Sequence, residues 1–153
     1  MSRCEDRLAA LGLSLPPVAT PLAAYVPAVQ TGSLVFTAGQ LPLVDGVIAY
    51  TGKVDVEVTV EQGYELARIC VLNALAAVKA EIGDLDRITR VVRVVGYVAS
   101  SPAFTGQPQV VNGASELLGE LFGESAKHAR SSVGMAVLPM DASVEIELIV
   151  EVE

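Results

Sequence analysis

Near the C-terminus, Ser143 to Val152 places Val144, Ile146, Leu148 and Val150 at one parity and Glu145, Glu147 and Glu151 at the other. A period of two sends successive side chains to opposite faces of a strand, so the segment predicts a sheet with one apolar and one polar face. The apolar face has to be laid against something. Thr59 to Gly83 supplies one partner, a helical pattern with Leu66, Ile69, Cys70, Leu72, Ala76, Ala77 and Ala80 on a broad stripe. Thr59 followed by Gln62 fits a capping box, and Gly83 closes the helix. A second helical pattern, from about Gln109 to Phe122, carries Val110, Val111, Ala114, Leu117, Leu118 and Leu121 and ends at Gly123.

Between the helices, Ile88 to Val98 is a β-branched run typical of a central strand, and Ser131 to Leu138 is a further β-rich run. Upstream, Tyr25 to Gln30 and Leu34 to Gly39 are β-rich and joined at a glycine turn, which predicts a hairpin. Gln40 to Lys53 is loop-like, with Pro42 and an Asp45-Gly46 turn. The predicted order is ββ, α, β, α, ββ: an α/β (α+β) domain with a single mixed sheet and two helices on one face. Residues 24–153 form that domain. Residues 1–23, with a short helical pattern at Glu5 to Leu11 and breakers at Pro16, Pro17 and Pro21, predict an N-terminal arm laid on its surface.

With both helices on one side, the other sheet face is left without a cover. Composition bears on this: 52% of the 153 residues are hydrophobic and 18% charged, and mean hydropathy is +0.51, unusually apolar for a chain of this length. Charged residues interrupt every helical candidate, so a membrane span is not expected. The surplus points instead to burial between copies of the chain, and a homo-oligomer is expected. The N-terminus does not read as a secretory signal, which suggests a cytoplasmic protein. A net charge of −8 without any basic cluster argues against nucleic acid as a partner. Cys70, mid-helix, reads as core packing and Cys4 as exposed. The only histidine, His128, has no set of carboxylates or thiols spaced around it as ligands, so no metal is expected.

Arg130 opens a strand directly after a loop, where a guanidinium can face a cleft and hold a carboxylate through two parallel hydrogen bonds. A structural salt bridge is the competing reading. Glu145, Glu147 and Glu151 share one strand face by the period of two and are read as the solvated side of an amphipathic strand. His128 is read as a loop residue. Ser131 and Ser132 lack a glycine-flanked nucleophile elbow.

The stretch Arg130-Ser131-Ser132-Val133-Gly134-Met135-Ala136-Val137-Leu138-Pro139, followed by Val144-Glu145-Ile146-Glu147, resembles the C-terminal signature of the RidA (YjgF-like) reactive-intermediate deaminase family. Ala24-Tyr25-Val26, Val35 to Pro42 and Val111-Asn112 fall in the family's order, so the likeness covers residues 24–152. It implies a chorismate-mutase-like fold, a homotrimer and a reaction without cofactors: hydrolytic deamination of enamine/imine acids of the 2-aminoacrylate and 2-iminobutyrate type to 2-keto acids and ammonia, in clefts between subunits. In such enzymes the arginine at 130 binds the substrate carboxylate and the glutamate at 145 helps place the water. Tyr25, Gly39, Asn112 and Ser132 match pocket positions, Ser132 through its main chain.

Ser132 stands where many members carry Cys and Ala38 where Ser or Thr is common, and the aromatic residues usual after Asn112 are small or aliphatic here. The arm of residues 1–23 and the pattern around Ser132-Val133-Gly134 resemble a side branch of uncharacterised function, and the departures imply a pocket of different shape. They also keep a second expectation open, a trimeric small-carboxylate-binding or regulatory protein without efficient turnover. A third, the endoribonuclease or translation-inhibitor activity attached to some family names, runs against the acidic charge balance.

Overall fold

The alternation in the last strand organises the whole molecule. In the structure, a computed structural model describing residues 3–21 and 23–153, helix α1 (Arg3–Ala10) is followed by strands β1 (Ala28–Thr31), β2 (Leu34–Thr37), β3 (Leu43–Val44) and β4 (Val47–Ile48). Helix α2 (Val60–Ile82), β5 (Ile88–Ala99), α3 (Gln107–Phe122), β6 (Ala129–Met135) and β7 (Val144–Val152) complete it. The main sheet has the order β1-β2-β7-β5-β6, with β3 and β4 a separate two-stranded ribbon. β5 and β6 run parallel, as the crossover through α3 requires, and the other pairs in the sheet are antiparallel. This is the mixed sheet expected, and α2 and α3 pack on one face of it.

On β7, Val144, Ile146, Leu148, Val150 and Val152 are buried while Glu145, Glu147, Ile149 and Glu151 are half-buried. The buried set joins Val35 of β2 and Val91, Val94 and Val98 of β5 in a core closed by Leu66, Val71, Leu75, Leu117, Leu118 and Leu121 of the helices. Each such fully buried aliphatic side chain stabilises the fold by roughly 1.5–3 kcal/mol before entropy is counted.

α2 forms where its signals lie. The Thr59 hydroxyl accepts from Gln62 N at 3.0 Å and the Gln62 side chain accepts from Thr59 N at 2.9 Å, a complete capping box. Gly83 ends the helix at φ 86°, its N–H donating to Lys79 O. α3 sits close over β5 because Gly96 has no side chain: a Cβ there would lie 2.3 Å from Val111 Cγ2. That approach holds the Asn112 and Ser115 turn of α3 above the neighbouring edge strand β6.

Three expectations are corrected. Cys4 is buried, 3% exposed, rather than exposed. It sits at i, i+4 from Leu8, and this small apolar stripe docks α1 into the main core. The Asp86 carboxylate anchors the start of α1 by accepting from Arg3 N at 2.8 Å and Cys4 N at 3.1 Å. Burial pushes the Cys4 thiol up to about 12, with nearby acids adding to it, and burial also raises Cys70 well above an ordinary thiol. Within Gln40 to Lys53, the Asp45-Gly46 turn does join strands, but each is two residues long, too short to show a period. Tyr25, Val26 and Pro27 precede β1 rather than belonging to it. Among the described residues, no helix is long and apolar enough to cross a membrane.

Candidate functional site

Pairing register decides which candidate side chains can meet. Arg130 pairs with Val94 and Ser132 with Gly96, positions that face the helices, since Val94 is fully buried and Gly96 abuts Val111. Glu145 pairs with Tyr97, an odd number of residues from Val94 along a regular stretch of β5, and so faces the other way. Arg130 and Glu145 of one chain therefore lie on opposite faces of the sheet, and the structure does not bring them together.

The helix-side group is built on the edge strand β6 and on α3. Arg130 Nη1 donates to Asn112 Oδ1 at 2.8 Å and to Ser115 Oγ at 3.2 Å, and Nη2 to Pro108 O at 3.4 Å. None of these acceptors is a carboxylate, and none of the ion pairs among the described residues involves Arg130. A guanidinium has five N–H groups, so the Nε–H and one Nη2–H stay open among the described residues. Two residues along the same strand face, Ser132 Oγ is buried and has no hydrogen-bond partner among the described residues. Such an atom costs about 1–3 kcal/mol unless a partner reaches it.

His128, read from sequence as an ordinary loop residue, belongs to this group. It does lie between the Gly123–Ala126 turn and β6, but its Nε2 is 2.9 Å from Ser115 Oγ and its Nδ1 bonds to Ala126 O. Sequence reasoning missed Ser115. The available signal was its spacing of three from Asn112, which puts both on one side of α3.

The second group lies on the open face. Gly39 is packed against Glu145 so closely that a Cβ would fall 2.0 Å from Glu145 Oε1. This close approach is what the glycine supplies. Tyr25 and Gly39 share a small cleft of about 30 Å³ with Pro21, Pro27 and Gln40, and Tyr25 is exposed. Burial, and then the neighbouring Glu147, hold the Glu145 carboxyl above the usual carboxylate range. Glu147, on the same strand face as Glu145, accepts from the Tyr97 hydroxyl at 3.0 Å.

Each chain thus carries two separate groups, a cationic one with hydroxyls and an amide, and an acidic one with a tyrosine and a close glycine. The model of the family described as "YjgF/chorismate_mutase-like, putative endoribonuclease" matches residues 5–152. The chain belongs to this family. Protein TCP17 of Trypanosoma cruzi is 43% identical to this chain over 150 residues, covering 97% of this chain and 94% of that protein. The structure of the Agrobacterium tumefaciens protein Atu1372 is similar at 47% identity and TM-score 0.92, covering 99% of this chain and 93% of that one. A Shewanella oneidensis structure bearing the same endoribonuclease label has 36% identity and TM-score 0.94, covering 97% and 99%. The TCP17 likeness fits a side branch of the YjgF-like proteins.

Proposed function

We propose that this YjgF-like chain is a cofactor-free hydrolase that converts enamine/imine acids to 2-keto acids and ammonia, in clefts formed between subunits of a homotrimer. The observation that carries the reading is Arg130, a half-buried cation whose partners are an amide, a hydroxyl and a carbonyl, with no carboxylate among them. Its open Nε–H and Nη2–H are the pair that a ligand carboxylate takes bidentately. The opposite facing of Arg130 and Glu145 supports a site made from two copies, because one chain cannot close it alone. So does the open face, where Phe36 and Val133 remain 37% and 41% exposed.

In that arrangement Arg130 holds the carboxylate and Asn112 and Ser132 line its surroundings. Glu145 of the partner subunit orients water toward the imine carbon, while Tyr25 and Gly39 shape the facing wall. Water adds across the C=N bond: its oxygen bonds to carbon, and one of its protons goes to nitrogen. The resulting carbinolamine then breaks its C–N bond, the electron pair leaves with nitrogen, and the remaining hydroxyl proton is delivered there to give ammonia and the keto acid. A carboxyl held above its usual range exchanges protons nearer neutral pH, which suits it to both transfers.

The test is keto-acid release from freshly generated 2-aminoacrylate or 2-iminobutyrate, for the wild-type protein and for Arg130→Ala. The variant should lose at least a hundredfold in rate while keeping its fold and oligomeric state, the scale expected when a positioning clamp is removed. Turnover by Arg130→Ala at the wild-type rate overturns the mechanism. Carboxylate binding without release assigns the protein to the binding or regulatory class instead. Nucleic acid is not a proposed partner, since a net charge of −8 repels a phosphate backbone.

A further inference from the structure

Between the N-terminal arm and the turn joining β3 to β4 lies a cavity of about 340 Å³, at the small end of the roughly 300–1,000 Å³ of organic-ligand sites. Asn73 of α2, 2% exposed, is the one buried residue in its lining. Its Nδ2 donates to Leu43 O at 2.9 Å and to Leu41 O and Ile69 O at 3.2 Å each. Carbonyl oxygens only accept, so these bonds fix which end of the amide is nitrogen and commit both of its protons. Oδ1 receives no hydrogen bond among the described residues. It is not sealed in the core either, because Ser132 Oγ is the one enclosed side-chain oxygen or nitrogen there without a partner. The small surface that Asn73 keeps therefore includes Oδ1, and the cavity is the space it opens to.

Apart from the exposed Thr20 hydroxyl, no other side chain of the lining has a proton to give Oδ1. Pro16 and Pro17 lack even an N–H, and Met140 contributes an adaptable thioether. Asp45, the only charged lining residue among the described ones, adds a second acceptor. Acceptors and one negative charge in apolar walls call for a ligand with positively charged N–H groups and a hydrocarbon body. We infer that this cavity is a second ligand site, for compact alkyl primary amines, with an ammonium N–H donated to Asn73 Oδ1 and the charge balanced by Asp45. Its polarity is the reverse of the Arg130 group, which the proposed function assigns to an anion. The site stands apart from the deaminase reading: Ala19, Thr20 and Leu43 line both this cavity and the Tyr25 and Gly39 cleft, but Asn73 and Asp45 line only this one.

3-Methylbutylamine and 3-methylbutanoate carry the same branched body with opposite charges at neutral pH. The chain has three methionines, Met1, Met135 and Met140, so isotope labelling of their methyls gives a simple spectrum in which Met140 reports on the cavity and Met135 of β6 is the control. Titration of the full-length protein with 3-methylbutylamine should shift the Met140 signal saturably and leave Met135 in place, with affinity at least about tenfold above that for 3-methylbutanoate. Asn73→Ala should weaken amine binding about tenfold, the scale of one hydrogen bond to a charged group. Asp45→Asn is the milder variant, since asparagine tolerates the left-handed backbone that Asp45 holds at φ 51°. It should lower amine affinity about threefold at low salt, and added salt should shrink the difference. Arg130→Ala should bind the amine as the wild type does.

Equal response to the two probes, no saturable shift with either, or movement of Met135 in place of Met140 overturns the inference. So does amine affinity that is unchanged by Asp45→Asn or by a folded Asn73→Ala, or that is lost in Arg130→Ala. Should Asn73→Ala fail to fold, the charge preference of the wild type and the loss in Asp45→Asn carry the test. Failure of the deaminase reading shows separately, as absent keto-acid release with amine binding intact.

Discussion

The two faces of the main sheet share the same strands and differ in completeness. Toward the helices, β5 and β7 present an aliphatic surface that one chain buries by itself. On the other face the same strands present Glu145, Glu147, Tyr97 and Ile149, beside Phe36 of β2 and Val133 of β6, half-buried or exposed. One face is finished by folding, and the other is left open by a single chain. The candidate site divides along the same line: Arg130 belongs to the finished side at the sheet edge and Glu145 to the unfinished one. In this reading a second copy of the chain completes a hydrophobic surface and an active site in one step.

The sharpest way to break the comparison is to truncate neighbouring residues of β7. Leu148 is 1% exposed among the helices, and Leu148→Ala should cost about 2–5 kcal/mol in urea unfolding, through lost burial and the cavity left behind. The loss should be the same at every protein concentration. Ile149, half-buried on the open face, should behave differently. Ile149→Ala is expected to cost an isolated subunit about 1 kcal/mol or less, with the larger part of its effect visible as weaker association in sedimentation and as a stability that depends on protein concentration. Equal, concentration-independent losses for the two variants would remove the distinction between the faces.

Local patterns made the finished side legible. The Thr59 and Gln62 cap, the stripe of α2, the β-branched run of β5 and the period of β7 each lie within a short stretch and are found where the sequence put them. The Cys4 error has the same origin seen from the other side. A two-residue stripe, Cys4 and Leu8, is too short a pattern to announce that α1 docks into the core. The site was harder to read because it depends on register and on distant neighbours. Sequence can nominate Arg130 and Glu145 separately, but only the pairing of Arg130 with Val94 and of Glu145 with Tyr97 puts them on opposite faces. Ser115 and His128 belong to different elements, and nothing local ties a mid-helix serine to a loop imidazole. Their meeting is a product of α3 lying close on β5 at Gly96.

A smaller effect tests what the open face costs a chain. The Glu145 carboxyl is raised by burial first and by Glu147 second, so the folded chain retains that proton to higher pH than the unfolded chain does. Between the ordinary glutamate value of 4.5 and the raised folded value, the folded state binds more protons, and stability falls as pH rises through that window. Above it the penalty is constant, and below the ordinary value it vanishes. Glu145→Gln, which has no charge to desolvate, should therefore unfold at higher urea than the wild type at pH 7 and lose that advantage by pH 3. Glu147→Gln removes only the second cause and should recover less. An advantage that grows as the pH falls would mean that the Glu145 carboxylate is stabilised in the folded chain, which contradicts the assigned burial. If Glu145→Gln stabilises the fold while slowing keto-acid release, the carboxyl is held in an unfavourable place because the proposed chemistry uses it there.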